Sequence, residues 1–181
     1  MKSINISMNK PKIPKIIKFL KIKDNRGQFA KLYSQTTKKK LIFNIKEINY
    51  SFNKNKGTLR GLHFQGQPKN EEKIVCCLKG SIFDVTVDLR KNSKNFFKCK
   101  TFKLDDTLNQ MLYIPKGFAH GFQTLSDNTI LIYMHSEKFY KKLDKGINPL
   151  DKLLNIKWPI EKKIMSPKDN KLKSSRYFKG L

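Results

Sequence analysis

Arginine is scarce in this chain. Of 39 basic residues among 181, four are arginine, at positions 26, 60, 90 and 176; the rest are lysines scattered among asparagine and isoleucine. A formal charge of +25 suits phosphate binding, but bidentate recognition of phosphates and bases favours arginine. No basic helix, zinc finger or aromatic RNA-binding signature is present, so nucleic acid is not the expected partner and the lysine excess reads as compositional drift. Cysteine is also sparse. Cys76, Cys77 and Cys99 offer no disulfide framework and no CxxC or Cys/His zinc spacing, which points to reduced thiols in a cytoplasm. Long apolar runs are missing, and at 38% hydrophobic content a core is affordable but a membrane span is not. The basic N-terminal stretch has no apolar h-region and carries prolines at 11 and 14, so it reads as a loose lead-in to the first strand rather than a secretion signal. Repeats and linkers are absent too. A single domain over 1–181 is expected, with a lead-in at 1–23 and a tail at 149–181 that packs back on the body.

What is present reads as β structure. In KIVCCLKGSIFDVTVDLR two runs rich in Val, Ile and Phe flank Lys79-Gly80, which fits a hairpin turn. Val85, Val87 and Leu89 alternate with Asp84, Thr86 and Asp88, the pattern of a strand with one buried face. Further strands are expected at 41–48, 96–104, 110–114 and 130–135. Short strands with little helical periodicity give an all-β sandwich or barrel.

Three histidines occur, and two lie in unusual glycine-bearing segments: His63 in GTLRGLHFQ and His120 in YIPKGFAHGFQTLSD. The spacing Pro115-x-Gly117-x-x-His120 resembles the second signature of the cupins, in which a turn delivers a histidine into a jelly-roll barrel. A metal-binding cupin needs a His-x-His pair and a nearby Glu. Here Gln65 stands where the second histidine would be, although Glu71 or Glu72 offers a carboxylate. A site without metal or other cofactor is therefore expected, leaving both imidazoles for proton chemistry near neutrality.

In collinear order, DNRGQF, GTLRGLHFQ, EKIVCCLKGSIFDVTVDLRKNS, LYIPKGFAHGFQTLSD, ILIY, IKWP and SPKD resemble the dTDP-4-dehydrorhamnose 3,5-epimerase family from about residue 24 to about residue 169. The resemblance implies an all-β, cupin-type jelly roll with short peripheral helices, working as a cofactor-free homodimer. It inverts carbons 3 and 5 of a 4-keto-6-deoxy sugar on a thymidine diphosphate, on the route to rhamnose or a related sugar of a surface polysaccharide. By the same resemblance His63 is the base, oriented by Asp169, and Tyr133 is the acid on the opposite face. Arg60, Lys73 and His120 bind the sugar and enolate side. Arg26 and Phe29 hold diphosphate and base, joined by Asn49.

The pattern departs from the family at Lys31, where an acid is usual, and at Glu47, where Gln is usual; both touch the nucleotide end. The segment YMHSEKFYKKL is also atypical, which leaves Tyr140 as a candidate for base stacking and His135 as peripheral. Asp84, on a strand, competes with Asp169 as the partner of His63. Inversion at a single carbon, a metal-dependent cupin enzyme and a silent sugar-binding cupin remain alternative readings.

Overall fold

The computed structural model describes residues 11–33 and 44–181. Strands are numbered in chain order. One sheet has the order β1 (Lys15–Lys18), β9 (Gln110–Ile114), β6 (Lys73–Lys79), β11 (Thr129–His135) and β4 (Glu47–Asn53). The other runs β12 (Asp144–Gly146), β5 (Leu59–Gln65), β10 (Phe118–Thr124), β7 (Ser81–Asp88) and β8 (Cys99–Asp105). A separate hairpin joins β2 (Lys21–Asp24) to β3 (Gly27–Ala30). Every pairing between these strands is antiparallel. This is the all-β jelly roll that the sequence leads one to expect, with one four-residue helix, α1 (Pro167–Asn170), and two short 3-10 turns among the described residues.

The layers follow from strand alternation. Val75, Cys77 and Leu131 of the first sheet meet Ile82, Leu104 and Phe122 of the second between the sheets. Neighbouring residues point the other way, so Cys76 packs on the outer face of the first sheet while Cys77 packs between the two.

The strand pattern differs from expectation in four places. Lys79-Gly80 is not a hairpin turn, because β6 pairs with β9 and β11 whereas β7 pairs with β10 and β8. The turn instead carries the chain from one sheet to the other, its Gly80 N–H bound to Asp106 Oδ2 at 3.0 Å and its Ser81 N–H to Ser126 Oγ at 2.9 Å. Nor does β7 have a single buried face. Val85 and Val87 pack outward under the C-terminal tail, against Leu154, Trp158 and Phe178, while Asp84 and Thr86 are fully buried on the opposite face. Each fully buried valine contributes about 1.5–3 kcal/mol, so the tail is part of the core. The strand expected over 41–48 begins at Glu47, and residues 41–43 lie outside the described residues. Finally, the expected lead-in supplies β1, which pairs with β9.

Candidate active site

Strand alternation alone would put Arg60 and His63, three residues apart, on opposite faces of β5. A register shift in the β5–β10 pairing corrects this: His63 opposes His120 and Arg60 opposes Phe122, so Gly61 and Leu62 together face Gly121. Such a bulge moves the next side chain to the same face. The two backbones touch there. A Cβ on Gly61 would lie 2.7 Å from Gly121 Cα, and Gly61 has φ +115°, so both requirements select glycine.

The bulge also positions a carboxylate. Asp169 sits in α1, where its N–H is capped by Ser166 Oγ at 3.0 Å, and it is 3% exposed. Its Oδ1 is 2.6 Å from His63 Nε2, and its Oδ2 accepts the Gly61 N–H at 3.3 Å. Burial alone would raise this carboxyl; the His63 bond and charge, with the Gly61 and Ser166 bonds, outweigh it and hold Asp169 below the usual carboxylate range. An ionised Asp169 accepts from Nε2–H, so in the neutral imidazole of His63 the lone pair is on Nδ1.

Asp84 is committed elsewhere. Its Oδ2 lies 2.8 Å from His120 Nε2, forming a second histidine–carboxylate pair that is almost wholly buried. The other oxygen, Oδ1, is buried with no hydrogen bond from the described residues. Its charge is felt by Tyr133, whose ring meets His120 edge-on at 6.3 Å. Burial first, then Asp84, push the Tyr133 hydroxyl well above the ordinary phenol range, and Arg60 offsets part of this. Tyr133 is therefore a neutral donor at physiological pH.

These groups share one open cleft of about 320 Å³, lined by Arg60, His63 and His120 from the second sheet and by Asn49, Lys73, Tyr133 and His135 from the first. Its size is at the lower end for small-molecule sites. His135, expected to be peripheral, lines it as well. Arg26, Phe29 and Tyr140 do not. Arg26 and Phe29 stand on the exposed β2–β3 hairpin, where Asp24 holds the Arg26 guanidinium at 2.6 Å. Tyr140 lies under Lys69, whose ammonium is 5.3 Å from the ring centroid. Gln65 clamps backbone: its Nε2 donates to Lys69 O at 2.6 Å and Lys138 O at 3.0 Å, and its Oε1 accepts from Tyr140 N–H at 2.8 Å. Among the described residues no group of three His, Cys, Asp or Glu side chains is placed to hold a metal ion.

Comparison with known proteins gives this arrangement a family. Residues 13–176 match the family model described as dTDP-4-dehydrorhamnose 3,5-epimerase. The enzyme of that name from Shigella flexneri is 38% identical over 149 residues, covering 81% of this chain and 82% of the relative. The chain belongs to this family. Its members are isomerases, and the structural agreement is equally broad. The dTDP-6-deoxy-D-glucose-3,5-epimerase of Legionella pneumophila, solved in complex with dTDP-4-keto-L-rhamnose, superposes with a TM-score of 0.86 at 33% identity, covering 93% of this chain and 92% of that one. A Streptomyces niveus dTDP-4-dehydrorhamnose 3-epimerase is 37% identical over 114 residues, 63% of this chain and 55% of the relative. Similarity within the family therefore spans both single and double inversion.

Three residues near the cleft have roles that the sequence did not assign to them: Glu71, which bonds Lys73 and His135; Asp84, the partner of His120 rather than of His63; and His135, which lines the cleft. Their roles depend on which strands lie side by side, and no local motif encodes that.

Proposed function

We propose that this chain epimerises a thymidine-diphosphate 4-keto-6-deoxy sugar at the carbons flanking the ketone, using His63 as base and Tyr133 as acid. The observation that carries this reading is the cleft itself, in which an imidazole fixed by an ionised Asp169 and a neutral, half-buried tyrosine come from opposite sheets. A proton next to a ketone is removable only if the enolate is stabilised, so a base, an oxyanion partner and an acid are all needed. His63 takes the proton from carbon 3 or 5, and the electron pair moves onto the 4-keto oxygen. Lys73 and Arg60 face that charge with fixed cations, and His120 adds a hydrogen-bonding ring. Tyr133 then delivers its proton to the other face of the carbon. Solvent exchange resets both groups for the second centre.

The chelator-treated protein, incubated with dTDP-4-keto-6-deoxyglucose in deuterated water, is expected to place deuterium on carbons 3 and 5 at the untreated rate. NMR of the product reads this directly. Label on one carbon alone narrows the activity to single inversion, absence of label rejects it, and loss on chelation with recovery on iron, manganese or zinc restores the metal-dependent reading.

The cleft has room for a sugar ring, and the nucleotide needs further surface. Arg26 supplies a fork of donors for diphosphate oxygens and Phe29, 66% exposed, a ring for stacking on thymine. Both sit on a projecting hairpin, and β4 ends the first sheet with an exposed apolar row of Ile48, Tyr50 and Phe52. A homodimer would cover that row and bring the hairpin to a nucleotide site. Arg26→Ala and Phe29→Ala are each expected to weaken dTDP binding by roughly tenfold while leaving kcat nearly unchanged, because a phosphate or stacking contact is made equally in ground and transition states. Calorimetric titration with dTDP checks this; wild-type affinity in both variants would remove the hairpin from the site. A nucleotide-sugar substrate and three unbridged thiols together favour a cytoplasmic setting.

A further inference from the structure

One side chain in the cleft has no part in the chemistry above. His135 lines the cleft with Lys73 and stacks on Tyr133, ring centroids 6.1 Å apart and planes 28° from parallel. Its Nδ1 is 2.7 Å from Glu71 Oε2, and the other oxygen of Glu71 is 3.0 Å from Lys73 Nζ. On its far side His135 Nε2 is 3.4 Å from Asn49 Nδ2, which also donates to Glu47 Oε1 at 2.9 Å; Glu47 Oε2 in turn accepts the Phe139 N–H at 2.9 Å.

This line of partners decides the proton positions. The carboxylate of Glu47 can only accept, so it identifies the Asn49 atom facing it as the amide nitrogen, a donor. Asn49 therefore gives its second hydrogen to His135 Nε2, and His135 carries its own hydrogen on Nδ1, aimed at Glu71. Burial raises the Glu71 carboxyl, but the His135 bond and the Lys73 charge more than reverse this. Glu71 is thus an anion held from behind and pulling on an ammonium in front. Lysine needs such help, since its four-carbon stem is flexible and a loosely placed charge stabilises an enolate poorly.

We propose that His135 and Glu71 are positioning residues that hold the Lys73 ammonium where charge develops on the 4-keto oxygen. This rests on the epimerase reading. The charge on that oxygen is present in the transition state and not in the bound ketone, so loosening Lys73 should lower kcat and leave KM largely alone.

The test compares His135→Ala, His135→Asn and Glu71→Gln with wild type in the deuterium assay, with melting curves to confirm folding. In His135→Ala, wash-in and inversion are expected to fall together by roughly tenfold at nearly constant KM. Glu71→Gln, which keeps the shape and removes the charge, should fall at least as far. His135→Asn should recover most of the loss, because its amide can donate to Glu71 in place of Nδ1. Wild-type kcat in His135→Ala, or equal losses in the alanine and asparagine variants, would overturn the positioning role while leaving epimerisation intact. A wild type that takes up no deuterium would overturn both.

Discussion

His63→Ala is expected to abolish proton exchange and epimerisation together, each by at least the ~10²-fold typical of a missing general base. The cleft offers no substitute among the described residues. Among the histidines lining it, His120 has its Nε2 engaged by buried Asp84 and His135 has its Nδ1 engaged by Glu71, while Lys73 is paired with Glu71. Only His63 combines a carboxylate behind one ring nitrogen with substantial exposure of the side chain, 32%, to the cleft. Removing the imidazole leaves the Asp169 carboxylate with the Gly61 N–H and the Asp169 backbone N–H still capped by Ser166 Oγ, so the fold should persist with a melting temperature lowered by a few degrees, as expected for about 1–2 kcal/mol in a chain of this size. Mass spectrometry of substrate incubated in deuterated water, with a coupled reductase to report product stereochemistry, measures both activities on one sample. Near-normal wash-in from a folded His63→Ala protein would place the base elsewhere and remove the central assignment.

The carboxylate behind His63 shows what the sequence could and could not convey. Asp84 lies on a strand between Phe83 and Val85 and is, by spacing alone, as good a partner as Asp169, more than 100 residues away. The choice is made by strand pairing. In the β10–β7 register His120 opposes Thr86 and Phe122 opposes Asp84, which puts Asp84 beside the His120 ring, whereas the β5 bulge turns His63 toward the helix that carries Asp169. Pairings between distant strands also explain the misread turn at Lys79-Gly80, because a hairpin and a corner between sheets use the same glycine-bearing turn and differ only in which strands bond afterwards. The apparent amphipathic strand β7 was legible as β structure, yet its polar face is turned into the molecule, where Asp84 serves the cleft. Local motifs thus disclosed the strands, the two histidine segments and the family. The network through Glu71 and His135 became visible only when β6, β11 and β4 lay side by side.

Tyr133→Phe should fail in a different way from His63→Ala. The two groups stand on different sheets, His63 on β5 and Tyr133 on β11. Removing the hydroxyl leaves His63, Asp169 and the cations in place, so the enolate still forms. It can then be reprotonated by His63 on the face it came from, and in deuterated water that return carries label without inversion. Wash-in is therefore expected to stay within roughly tenfold of wild type while inversion falls by about 10² or more, the loss assigned to one missing proton donor. The ring remains, so its stacking on His135 and its packing against the core between the sheets are kept and the melting temperature should barely move. The decisive quantity is the ratio of label uptake to inversion in the same incubation, read by NMR at carbons 3 and 5 and by the coupled reductase. A ratio that rises sharply over wild type assigns Tyr133 as the acid; an unchanged ratio with inversion at the wild-type rate shows that its hydroxyl is merely packed and that the returning proton comes from another group or from water.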